Sequence, residues 1–131
     1  MSAKNVLKFI KDKEAEFVDL RFTDPRGKLQ HLTMDKTIVD EEMLNDGVFF
    51  DGSSIAGWKA INESDMILKP DSNRMFMDPF TSHNTLVLFC DILDAVKRTP
   101  YERDPRGIAK KAEAYLKKSG IGDKAFFGPE P

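Results

Sequence analysis

FVDLRFTDPRGKLQHLTMD, residues 17–35, is the stretch on which the fold turns. In its first half Val18, Leu20 and Phe22 alternate with Asp19 and Arg21, the period-two pattern of a strand with one apolar face. DPRG then supplies Asp24 at the first, Pro25 at the second and Gly27 at the fourth position of a type I turn. In the second half Leu32 and Met34 resume the alternation. The reading is a β-hairpin.

Outward from the hairpin, other elements are legible. Val6, Leu7 and Ile10 recur at helical spacing in residues 3–13, so a short amphipathic helix precedes it. VDEEMLNDG reads as a second short helix, with Asp40 capping its first amides and Gly47 taking a left-handed conformation at its end. MILK, RMFMD and TLVLFCDI are three short strands, the last apolar enough to be buried on both faces. Residues 104–120 form the clearest helix. Asp104 is its N-cap, Pro105 occupies the first helical position, and Ile108, Ala112, Tyr115 and Leu116 form its apolar stripe. Lys117 and Lys118 suit its negative end, and Gly120 closes it. AFFG begins a further strand. The predicted class is α+β, a small sheet with a crossing helix over residues 1–99. A charged, proline-containing linker and the start of a second domain occupy residues 100–131. Because the chain reaches AFFGPEP with no polar tail, that segment reads as the interior of a longer protein.

Composition removes several function classes. The chain has 131 residues, 40% hydrophobic and 32% charged, with a formal net charge of −2. Those proportions suit a soluble globular protein, and the charge gives no footprint for nucleic acid. No apolar run reaches the ~20 residues of a membrane-spanning helix, and no secretory segment follows Met1. A single cysteine, Cys90, excludes an internal disulfide and fits the reducing cytoplasm. His31, His83 and Cys90 lack zinc spacing and read as structural residues. A GxxxxGK phosphate loop is absent, and Ser53 and Ser54 have no histidine nearby to activate a nucleophile.

The chemistry concentrates in FFDGSSIAGWKAINESDM, residues 49–66. Asp51, Glu63 and Asp65 flank a Gly/Ser turn and Trp58. Loop carboxylates are ordinarily just solvated. Trp58 counts against that reading, because tryptophan is enriched where its ring buries area at a contact. Glu130, between prolines in GPEP, is held on extended backbone and is a candidate ligand for a hard cation such as Mg2+ or Mn2+. One carboxylate makes no site, so a structural role for it stays open.

These motifs together resemble glutamine synthetase of the bacterial type I class. Phe50-Asp51-Gly52-Ser53-Ser54, then Glu63-Ser64-Asp65 and Leu68, matches its amino-terminal signature. FVDLRFTD, IxGWK, INESDM, DPF, CDI, YxRDPR and FGPEP follow in the family's order across essentially the whole chain. The resemblance implies an amino-terminal β-grasp domain, followed by the first helix and strand of a truncated catalytic domain. It also implies ATP-dependent ligation of ammonia to glutamate through a γ-glutamyl phosphate, with Mg2+ or Mn2+ screening the phosphates. Asp51 then matches the aspartate that binds and deprotonates ammonium, reaching into a neighbouring subunit's site. Ser54 and Asp65 take supporting roles in the same segment, and Trp58 anchors the loop. Glu130 matches the first glutamate of the PEPE metal motif.

By the same resemblance the functional form is a homo-oligomer, a dodecamer of two stacked six-subunit rings, and this stretch is inactive alone. Its nucleotide pocket and remaining metal ligands lie outside the 131 residues. Ala56 and Ala60 stand where close relatives often carry glycine, which bears on loop flexibility. The competing expectation is a stand-alone β-grasp interaction or regulatory module using the DGSS loop as its contact surface.

Overall fold

The computed structural model describes residues 2–55 and 65–130. Three α-helices and five strands are present among them: α1 (Ala3–Asp12), β1 (Phe17–Thr23), β2 (Leu29–Asp35), α2 (Glu41–Asp46), β3 (Val48–Asp51), β4 (Asp65–Met77), β5 (Thr85–Asp94) and α3 (Pro105–Ser119). The strands form one sheet in the order β2-β1-β5-β4-β3. The central pair, β1 and β5, runs parallel, and every other neighbouring pair is antiparallel. The expected α+β class is borne out.

The hairpin forms as its alternation predicts. Val18, Leu20 and Phe22 are buried, and the turn closes through a bond from the Gly27 N–H to the Asp24 carbonyl, 3.0 Å. The Asp24 carboxylate accepts the N–H groups of Arg26 and Lys28, both at 2.9 Å. Gly27, at φ +84°, occupies the left-handed region where glycine carries no steric cost. Leu32 departs from expectation: it is 38% exposed, because β2 is an edge strand whose inward side chains have neighbours on one side only.

One face of the sheet packs on Ala3, Val6 and Ile10 of α1 and Leu44 of α2, with Leu86, Leu88, Cys90 and Ile92 of β5 at its centre. Val87, which alternates with them, is equally buried on the other face. There Phe76 and Phe89 lean together at 6.2 Å between ring centroids. The double burial expected for TLVLFCDI therefore holds over Thr85–Leu88, while Phe89 and Asp91 on the outer face are only half-buried.

MILK and RMFMD are not separate strands. They are the two ends of β4, joined across a register shift between Pro70 and Met75. Pro70 has no N–H to give a ladder, so the irregularity sits where the sequence could not pair continuously. α2 is capped as expected by Asp40, whose carboxylate accepts the Met43 N–H at 2.7 Å. Gly47, however, adopts φ 86° and ψ −178° rather than the left-handed helical conformation.

α3 begins and ends as predicted. Asp104 accepts the Arg106 N–H, and Gly120 sits at φ 72°, ψ 2°. Its apolar stripe does not pack: no residue of the helix is buried, and Ile108 and Tyr115 are 54% and 74% exposed. The strand expected at AFFG does not form either. Residues 121–130 carry no regular structure. An extended segment becomes a strand only when a neighbour takes its backbone groups, and no strand among the described residues pairs with this one. None of the described helices is long and apolar enough to cross a membrane.

Candidate functional site

Gly47 sets the position of the candidate site. A Cβ at this residue would stand 2.5 Å from the Ile67 Cγ2 and 2.6 Å from the Leu68 carbonyl oxygen. Only glycine lets the chain leave α2 this close to β4 and start β3 at once. The register then runs Val48 opposite Leu68, Phe49 opposite Ile67, Phe50 opposite Met66 and Asp51 opposite Asp65. Phe50 turns inward against Phe22, with ring centroids 5.4 Å apart. Phe49 and Asp51 alternate to the outer side, where both are exposed.

Asp51 and Asp65 thus face each other across the open end of the β3–β4 pair. Directly opposed like charges disfavour pairing, so this is an unexpected place for two carboxylates if structure alone chose them. The Asp51 Oδ1 accepts the Ser53 N–H at 2.9 Å and the Ser53 hydroxyl at 2.6 Å. The Ser54 hydroxyl donates to the Asp51 carbonyl at 2.8 Å. These bonds wind Gly52–Ser54 into a single 3-10 turn, after which Ile55 plugs into the core. Side chains that bond their own backbone in this way stabilise a turn without a ladder. One carboxylate is therefore aimed by a small, well-bonded corner at the sheet's edge.

Of the residues expected in the site, the structure brings Asp51, Ser54 and Asp65 together. Trp58 and Glu63 lie outside the described residues. Glu130 is exposed in the irregular segment after α3. Among the described residues no three His, Cys, Asp or Glu side chains converge on a point where they could hold a metal ion. Glu130 therefore stands as one hard-oxygen donor and not as a metal centre. Ser53 enters the expectations as a rejected nucleophile and as part of the DGSS motif, without a role of its own, yet its hydroxyl bonds the Asp51 carboxylate at 2.6 Å. The signal for it was the D-x-S spacing of a side-chain turn.

A second polar cluster lies on the outer face of the hairpin. Asp19 accepts from Arg21 Nε (2.7 Å) and the Thr33 hydroxyl (2.7 Å) and pairs with His31 Nδ1 (2.8 Å). Burial pushes its carboxyl up, and the bonds from Arg21, His31 and Thr33 together hold it below the usual range. Arg21 reaches on to Asp78 at 2.5 Å. His31 is accounted for by this network. Cys90 is inert, since burial pushes its thiol far up.

Comparison with known proteins follows the same outline. A family model described as "Glutamine synthetase, beta-Grasp domain" matches residues 14–95. The chain is 67% identical over 129 residues to the glutamine synthetase of Rhizobium meliloti (strain 1021), covering 98% of this chain and 28% of that protein. It is 54% identical over 130 residues to the 3-hydroxylaminophenol mutase of Cupriavidus pinatubonensis, covering 99% of this chain and again 28% of the relative. Among solved structures, the Plasmodium falciparum glutamine synthetase superposes with a TM-score of 0.84 at 28% identity, over 95% of this chain and 24% of that one. The chain spans about 28% of the length of the curated relatives it matches. The sheet with its covering helices is a β-grasp domain, and the chain belongs to the glutamine synthetase family.

Proposed function

We propose that the chain is the amino-terminal part of an enzyme that joins ammonia to L-glutamate at the expense of ATP. In this reading glutamate's γ-carboxylate is first phosphorylated by ATP. Asp51 holds an ammonium ion and takes one of its protons. The freed nitrogen lone pair attacks the acyl-phosphate carbonyl, the carbon–oxygen bond to phosphate breaks, and glutamine and phosphate result. Ammonium has no lone pair, so a group that both attracts it and accepts its proton is a chemical requirement.

The observation that carries the reading is the Asp51–Asp65 opposition at the exposed end of β3. Two carboxylates there suit a cation and little else. Ser53 and Ser54 fix the corner, and Asp65 adds negative charge. The place of Asp51–Ser54 at a sheet edge suits service to a neighbouring subunit, in a ring-shaped homo-oligomer of two stacked hexamers. Trp58 anchors the loop at that boundary. Glu130 contributes one oxygen ligand to Mg2+ or Mn2+, completed by residues beyond this chain. Residues 100–131 open the catalytic domain, and the setting is the cytoplasm.

The test is Asp51→Ala in the full-length protein, with glutamine formation as the assay. That product matters, because the relative named 3-hydroxylaminophenol mutase shares this region at 54% identity. Loss of ammonia-dependent turnover by roughly 10²–10⁴-fold is expected, with ATP binding retained. Unchanged ammonia use in the variant would sink the proposal.

A further inference from the structure

The end of α2 is tied down more firmly than so short a helix would suggest. Its span, Glu41–Asp46, is too short to persist alone, and its last carbonyls have no intrahelical donors. Three donors from three different places take them. The Gly47 N–H bonds the Met43 carbonyl at 2.8 Å. Lys69 Nζ, from β4, bonds the Leu44 carbonyl at 2.8 Å. Arg98 Nη2, from the turn after β5, bonds the Asp46 carbonyl at 2.6 Å. Two of these donors are cations at the negative end of a helix, where their charge is favourable.

Arg98 has a second unusual property. Its φ is 55°, in the left-handed region that non-glycine residues seldom adopt. The turn that holds it is built around Asp94. The Val96 and Lys97 N–H groups bond the Asp94 carboxylate, both at 2.9 Å, and the Arg98 N–H bonds the Asp94 carbonyl at 2.8 Å. A disfavoured backbone on an exposed turn, with its side chain reaching to a helix's last carbonyl, is the kind of outlier that signals a positional task.

From the Asp46 carbonyl the chain passes through Gly47 directly into β3, the edge strand that ends at Asp51. β3 has a ladder on one side only. We propose that Arg98 and Lys69 are positioning residues that clamp the end of α2. The clamp fixes where β3 starts against β4 and so keeps Asp51 opposite Asp65. The catalytic consequence rests on the role proposed above for Asp51, but the structural consequence does not.

The experiment uses the full-length protein with Arg98→Gly, Arg98→Lys and Lys69→Met. Arg98→Gly removes the guanidinium and also relieves the backbone, so simple loss of fold is not its expected effect. Hydrogen exchange by mass spectrometry over residues 44–51 is expected to speed up about fivefold in Arg98→Gly, with residues 85–92 unchanged. Arg98→Lys should restore most of the protection, and Lys69→Met should act in the same direction as Arg98→Gly. In parallel, Arg98→Gly should raise KM for ammonium several-fold with KM for ATP unchanged. Unchanged exchange over residues 44–51, or an equal increase over residues 85–92, would overturn the inference. Asp51→Ala run alongside separates the two claims. If Asp51→Ala spares ammonium use, the functional reading falls while the exchange result still judges the clamp. If Asp51→Ala abolishes that use and Arg98→Gly is silent in both assays, the clamp alone falls.

Discussion

β5 and α3 are adjacent in the chain and are held by opposite means. β5 buries Leu86, Val87 and Leu88 completely, using both faces of the sheet. α3 buries none of its residues and meets the sheet through its first turn. That seat is polar. Asp104 is 1% exposed and accepts the Ile92 N–H at 3.0 Å as well as capping the helix. Burial pushes its carboxyl up, against the pull of the Ile92 and Arg106 N–H groups. Next to it Arg106 spans Asp71 (2.5 Å) and Asp91 (3.1 Å), and Lys110 also reaches Asp91. Caps and a good sequence are enough to form a helix, but the side chains that would make it part of a core must find a surface.

The sharpest way to break this contrast is at the centre of the sheet. Leu88→Ala removes a fully buried side chain between β1 and β4 and should cost about 3 kcal/mol in chemical denaturation. A loss under about 1 kcal/mol would mean that the sheet's core is not what holds the domain. A smaller effect is expected at the seat. Asp104→Ala leaves the Ile92 N–H without its acceptor and α3 without its cap, a cost of about 1–2 kcal/mol. It should appear as lost amide protection in α3 and at Ile92, with the rest of β5 intact. If β5 opens in step, the two regions are one cooperative unit and the contrast fails. The smallest change should come from the exposed stripe. Tyr115→Ala should shift stability of the 131-residue chain by no more than about 0.5 kcal/mol. A larger shift would place Tyr115 in a contact that its exposure contradicts.

What could be read from the residues followed from how local the cause was. The hairpin, the Asp40 and Asp104 caps and the Gly120 stop are short-range effects, and all appear. The unity of β4 was hidden because Pro70 and the polar residues after it look like a loop, although β5 pairs with β4 on both sides of the register shift there. AFFG has strand composition, but composition cannot supply a partner. At the site, Asp51 was legible from its motif. Its opposition to Asp65 was not, because that register depends on Gly47 wedging against Ile67 and Leu68, a contact between segments far apart in sequence.

The parallel pairing of β1 with β5 also bears on how the domain comes into being. Phe17 lies beside Thr85, so the middle of the sheet closes only when the last of the five strands takes its place between β1 and β4. That closure carries a loop-entropy cost before it returns any burial, and such long-range topologies fold slowly. On the ribosome the hairpin and the β3–β4 pair emerge first. Until β5 arrives, each shows an uncovered strand edge to whatever is nearby.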